Sequence, residues 1–128
     1  MEIAKIQWYP GHIAKAERQL SETINRVDLV IEVRDARIPL STSHQHLDNW
    51  IKDKKHLLVI NKSDMISKSA IKTWTQWFKE KNQSPLWCDS KKGVGIKEIY
   101  KAAAKSRLSI DMRRKSRGMN SRAIRALT

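Results

Sequence analysis

Leu57-Leu58-Val59-Ile60-Asn61-Lys62-Ser63-Asp64 decides how this chain is read. An apolar run, rich in residues that favour strands, leads without a break into a polar tetrapeptide. The apolar half reads as a strand covered on both faces, the pattern of parallel sheets flanked by helices. The polar half, N-K-x-D, falls at the carboxyl end of that strand, where open α/β sheets bind their ligands. Its chemistry is selective. A carboxylate at Asp64 can accept two hydrogen bonds from the ring N–H and the exocyclic amine of guanine, whereas adenine lacks that donor pair. Charge-assisted hydrogen bonds are worth roughly 1.5–3 kcal/mol each, so the discrimination is large. Asn61 can address the other edge of the base or tie its loop to a neighbouring one. The Lys62 stem can lie along the flat face of the ring system with its ammonium toward the ribose. The plainer alternative is a polar strand exit closed by an Asx turn.

Working outward, the same alternation of strand and helix recurs. Residues Met1 to Gly11 read as an extended arm, and helix signals begin after the Pro10-Gly11 breaker. Ile13, Ala16, Leu20 and Ile24 then recur at helical spacing. Val27 to Val33 reads as a buried strand emptying into Arg34-Asp35-Ala36-Arg37-Ile38-Pro39, a polar loop halted by proline. Ser43 to Trp50 reads as a short helix, His56 to Ile60 as a strand, and Ser67 to Lys81 as a helix with Ile71, Trp74 and Phe78 inward. Leu86-Trp87-Cys88 is a short strand, and Ile96 to Leu108 a helix with Ile96, Ile99, Tyr100 and Ala103 on one face. The order α-β-α-β-α-β-α predicts an α/β fold, a three-layer parallel sheet with right-handed crossovers.

Composition narrows the function classes. The single cysteine, Cys88, excludes an internal disulfide framework and fits a reducing cytoplasm. No apolar run approaches the roughly 20 residues that a membrane-spanning helix needs, so no membrane partner is expected. The net charge of +13 points to a polyanionic partner. Of it, +7 lies between Lys105 and Thr128, where Arg113, Arg114, Lys115 and Arg117 cluster. That cluster is the expected contact with RNA, ribosomal RNA above all. Trp74 and Trp77 read as packing residues, while Trp8, beside Tyr9, suggests an arm that docks onto the domain.

Several stretches carry a resemblance. Gln7-Trp8-Tyr9-Pro10-Gly11-His12-Ile13-Ala14-Lys15-Ala16, Val33-Arg34-Asp35-Ala36-Arg37-Ile38-Pro39-Leu40-Ser41, Asn61–Asp64 and Asp89-Ser90-Lys91-Lys92-Gly93-Val94-Gly95 together resemble the circularly permuted GTPases of the ribosome-biogenesis GTPase A (YlqF-type) family. The resemblance implies a cytoplasmic GTPase assisting assembly of the large ribosomal subunit, with GTP or GDP as ligand and Ser90 and Lys91 in the loop that offers backbone N–H groups to the guanine carbonyl. It also implies a catalytic place for His12, as the imidazole that orients the attacking water. Family members carry the base-reading motifs first and the phosphate loop afterwards. This chain contains no G-x-x-x-x-G-K-[ST], and Ser121 to Leu127 resembles the segment entering the phosphate-loop strand.

The resemblance therefore divides the chain into an arm (residues 1–11), a base-recognition half of a permuted GTPase domain (12–108) and a basic linker (109–128). Mg2+ would be held only by the missing half, and the chain is expected not to hydrolyse GTP alone. Val27–Val33 would then be an open apolar edge through which the chain self-associates. Two departures stand out: Ile13 replaces the family's methionine, and Asp89 begins a loop that is usually Ser-Ala-Lys. Two alternatives stay open, a non-enzymatic RNA- or ribosome-binding module with a degenerate nucleotide site, and a structural fragment that folds only against its other half.

Overall fold

The computed structural model describes residues 10–44, 46–51 and 54–128. The arm before Pro10, with Trp8, lies outside the described residues. Helix α1 spans Pro10–Arg26, β1 Leu29–Asp35, α2 Leu47–Trp50, β2 Lys55–Asn61, α3 Lys68–Glu80, β3 Leu86–Trp87, α4 Ile96–Ser116 and β4 Ala126–Leu127. Pro10 opens α1 where a breaker was expected, because the first helical position needs no N–H donor. Ser67 caps α3, its hydroxyl accepting the Ala70 N–H at 3.1 Å.

The sheet is wholly parallel, in the order β3-β2-β1-β4. β1 and β2 pair along their whole length, from Leu29 opposite Lys55 to Asp35 opposite Asn61. Strand side chains alternate between the faces, and each face has its own cover. Val30, Leu58 and Ile60 look toward α1, α2 and α3, where two apolar clusters form, one around Ile24, Val30 and Leu47 and one around Leu58, Ile60 and Phe78. Trp74 and Trp77 pack against the second, with ring centroids 6.0 and 5.1 Å from Phe78. Leu29, Ile31, Val33 and Val59 look toward α4 across an open apolar groove of about 770 Å³. Tyr100, expected on the covered face of α4, is 74% exposed for that reason.

Between the two clusters the helix-covered face is polar. Glu32 accepts from Arg34 Nε at 2.7 Å and is paired with His56 Nε2 at 2.9 Å. Burial pushes the Glu32 carboxyl upward, but these two partners outweigh it and hold it below its ordinary value. The partnership explains how a glutamate sits inside a strand that otherwise reads as apolar.

Two further expectations change. α4 does not end at Leu108; with no proline or glycine to stop it, it runs to Ser116. It then closes on Gly118 (φ 73°), with Met119 N–H donating to the Arg114 carbonyl at 2.9 Å and Gly118 N–H to that of Lys115 at 3.0 Å. The turn sends the chain back under the sheet. There Ala126 and Leu127 pair with Leu29 and Val30, so the lower part of β1 is not the open edge that its sequence suggests. Above Val30 no strand among the described residues flanks β1 on that side, and Val33 is 47% exposed.

Asp28 anchors this return. It accepts from Arg122 Nη2 at 2.9 Å and from the Arg125 N–H at 3.0 Å, while its own N–H donates to the Arg125 carbonyl at 2.7 Å. Asp28→Ala is expected to raise hydrogen exchange across residues 122–128 by about tenfold or more, since charge-assisted bonds of this kind contribute about 1.5–3 kcal/mol. Exchange in α3 should be unchanged. An unaltered rate at residues 122–128 would show that Asp28 does not hold the segment.

Candidate functional site

The carboxyl ends of β1, β2 and β3 meet at one rim of the sheet. The residue that joins them is Asn61, the last of β2. Its amide Nδ2 donates to Ser90 Oγ at 3.0 Å, and its Oδ1 accepts the Ser90 backbone N–H at 3.0 Å. Cys88 Sγ lies 3.5 Å from the same oxygen, and burial pushes the thiol up. The backbone adds a second tie, Ser63 N–H donating to the Cys88 carbonyl at 3.0 Å. The two loops predicted to read a base are thus one hydrogen-bonded unit.

After Asn61 the chain turns sharply. Lys62 takes the left-handed conformation (φ 63°), uncommon for a residue with a side chain, and starts the short 3-10 turn Ser63–Met65. Its ammonium lies 3.4 Å from Asp35 Oδ2. Asp64, on that turn, is exposed, and its carboxylate has no hydrogen-bond or ion-pair partner among the described residues. It is an acceptor held at the rim with nothing to accept from.

The loop after β3 is built around Asp89, which is only 6% exposed. Its backbone exchanges two hydrogen bonds with Val94, and its Oδ1 accepts the Lys92 N–H at 3.3 Å. The carboxylate in this departure from the family pattern is therefore turned into its own loop. Ser90 N–H is committed to Asn61, whereas Lys91 N–H donates to no acceptor among the described residues. Gly95 (φ 81°) lets the loop pass close under β3: a Cβ there would stand 2.3 Å from the Trp87 carbonyl oxygen.

Asp35 ends β1 opposite Asn61. It accepts from the Arg37 backbone N–H at 2.9 Å, from Arg37 Nε at 3.0 Å and from Arg37 Nη2 at 2.8 Å. The Arg37 side chain and then its backbone N–H, with Lys62 adding to them, hold the Asp35 carboxyl far below the usual carboxylate range. In sequence this residue reads only as part of the polar loop after the strand. Its link to Lys62 was missed, although an acid and a lysine at the ends of two adjacent strands were the signal.

Asn61, Lys62, Asp64, Ser90 and Lys91 thus share one rim. His12 lies apart from this cluster in sequence and is exposed in the first turn of α1. Arg113, Arg114 and Arg117 line a cavity at the amino-terminal end of the strands, and Lys115 is exposed beside it. Among the described residues no group of His, Cys, Asp or Glu could hold a metal ion, and no helix is long and apolar enough to cross a membrane.

No protein-family model matches the chain. Among curated proteins it is similar to Ribosome biogenesis GTPase A of Bacillus cereus, 41% identical over 95% of this chain and 41% of that protein. Ribosome biogenesis GTPase A of Thermotoga maritima is 35% identical over 81% of this chain and 38% of its own length. Among solved structures, GNP-bound YlqF from T. maritima superposes with a TM-score of 0.53 at 32% identity, over 59% of this chain and 31% of that one. The chain is therefore a homologue of ribosome biogenesis GTPase A proteins and shares their α/β fold, while spanning about two-fifths of the length of the curated relatives it matches.

Two outcomes test this geometry. Gly93 and Gly95 both have positive φ, but only Gly95 lacks room for a Cβ. Gly93→Ala should cost about 1 kcal/mol in urea denaturation and Gly95→Ala clearly more; equal losses would contradict the close approach to Trp87. Asp35, with its pKa depressed, stabilises the loop fully above its ordinary value near pH 4 and loses that contribution as acid protonates it. The stability gap between the native chain and Asp35→Asn should be constant from about pH 5 to 8 and shrink below about pH 4. A gap that widens in acid would refute the pairing.

Proposed function

We propose that this chain recognises guanine nucleotides and serves as the base-reading part of a GTPase acting in assembly of the large ribosomal subunit. The observation that carries the reading is the Asn61–Ser90 bridge, which spends the polar groups of both residues on joining two loops and leaves the Asp64 carboxylate unpartnered at the rim among the described residues. The groups left over match guanine: an acceptor at Asp64 for its ring N–H and amine, and a donor at the Lys91 N–H for its carbonyl. The Lys62 stem covers one face of the base while Asp35 fixes its ammonium. In this division of labour Asn61 and Ser90 are the frame, and Asp64, Lys62 and Lys91 touch the ligand.

Phosphates and Mg2+ are held by a phosphate loop, a motif that these 128 residues do not contain. Such a segment would extend the sheet beside β1 above Val30, where no strand among the described residues flanks it, and cover Ile31 and Val33. Left uncovered, the same edge invites pairing between copies of the chain. His12 is the residue that would orient the attacking water in the assembled site, and hydrolysis belongs to that assembly. A cytoplasm suits both a ribosomal precursor as partner and the buried, free Cys88.

Calorimetric titration of the chain with GDP, ADP and XDP tests the reading. GDP should bind more tightly than ADP by at least about tenfold, the value of one good hydrogen bond to a charged group. Asp64→Asn should move the preference from GDP toward XDP, because the amide can donate to the xanthine carbonyl where the carboxylate cannot. Unchanged GDP preference in Asp64→Asn would end the base-reading assignment.

A further inference from the structure

The rim that reads the base has a counterpart at the other end of the strands. There a cavity of about 810 Å³ opens between the starts of β1 and β2, the last turn of α4 and the returning segment before β4. Lys54 and Lys55 come from the start of β2, Arg113, Arg114 and Arg117 from α4, and Arg122 and Arg125 from the return. Among the described residues the acid in its lining is Asp28, which is committed to Arg122 and Arg125. Lys54 and Arg114 bond to backbone carbonyls, those of Asn25 at 3.2 Å and Asn120 at 3.0 Å. Such bonds orient a cation without neutralising it. Arg122 Nε is buried and has no acceptor among the described residues, although the Nη2 of the same group is pinned to Asp28.

We propose that this cavity binds the phosphate backbone of RNA. Seven cations drawn from three separate elements far exceed what one phosphate group needs, and they converge only because the Gly118 turn folds the chain back. Sites for a single compact phosphate are usually made by helix N-termini and backbone N–H groups. Here α1 and α4 both arrive with their C-termini, at Asn25 and at Arg113 to Arg117. Those negative helix ends favour the cationic side chains around them but offer no backbone cradle. An extended polyanion that meets one side chain after another fits such a wall. The inference rests on the ribosomal part of the proposed function and deepens it: RNA is gripped at the amino-terminal end of the sheet while the base is read at the carboxyl end. Lys54, Lys55, Arg122 and Arg125 join the arginines of α4 in one site rather than forming a basic tail.

The test uses the whole 128-residue chain, a labelled single-stranded RNA and fluorescence anisotropy between about 50 and 200 mM salt. Lys55→Gln combined with Arg117→Gln removes one cation from each of two walls. The slope of log K against log salt should fall by about 1.4, at about 0.7 per lost contact on a single strand. Lys72→Gln with Lys79→Gln, an equal charge change on exposed positions of α3, should leave the slope as it is. Thermal melting confirms that each variant is folded. Equal losses from both pairs, or none from the cavity pair, would overturn the proposal. So would tight binding of inorganic tripolyphosphate with no binding of RNA. GDP titrations run in parallel separate the two readings, because the cavity pair should keep GDP affinity. GDP binding that fails while the RNA slope behaves as expected would defeat only the guanine assignment.

Discussion

The Asn61 side chain is the constraint on which the rest depends. A parallel sheet delivers its strands to a common rim, but nothing in the sheet itself fixes how the loops beyond that rim stand to one another. Asn61 does so with both ends of one amide, donating to Ser90 Oγ and accepting from the Ser90 N–H. Because it is the last residue of β2, its position is set by the β1–β2 ladder. The left-handed turn at Lys62, the lysine's reach to Asp35 and the exposed carboxylate of Asp64 follow from it. The strain of a non-glycine residue in that region is sustained because the surrounding bonds over-determine the turn.

Much of this was legible in the sequence where one physical cause dominated. Val59-Ile60 followed by Asn61-Lys62 could hardly be anything other than a buried strand opening into a polar rim, and the strand is there. α1 and α3 were legible by their spacing, and Phe78, read as inward, is fully buried; of the helix read over Ser43 to Trp50 only Leu47–Trp50 forms. What was not legible depended on partners distant in the chain. Glu32 seemed out of place in a buried strand until His56, on the neighbouring strand, supplied its partner. The length of α4 was underestimated because its apolar face gives out before its helical preference does. The pairing of Ala126 with Leu29 needed the Gly118 turn and the Asp28 anchor, which no local pattern announces.

The two ends of the sheet differ in how their polar groups are partnered. At the carboxyl end the polar groups are few and mostly committed, and the Asp64 carboxylate and Lys91 N–H are left over among the described residues; the proposed guanine reading uses these two. At the amino-terminal end seven cations from three elements crowd a wide cavity whose one acid among the described residues is Asp28; the proposed RNA contact uses a repeating charge of that kind. Between the two lies the groove under α4, whose apolar walls of Ile31, Val33, Val59 and Ile99 remain open.

The most direct measurement of the central claim is an amide NMR titration of the chain with GDP and, separately, with ADP. GDP should move the resonances of residues 61–64 and 89–92 together, the Lys91 amide most of all, and ADP should leave them still. Equal responses to the two nucleotides, or a GDP response confined to the basic cavity, would contradict the account.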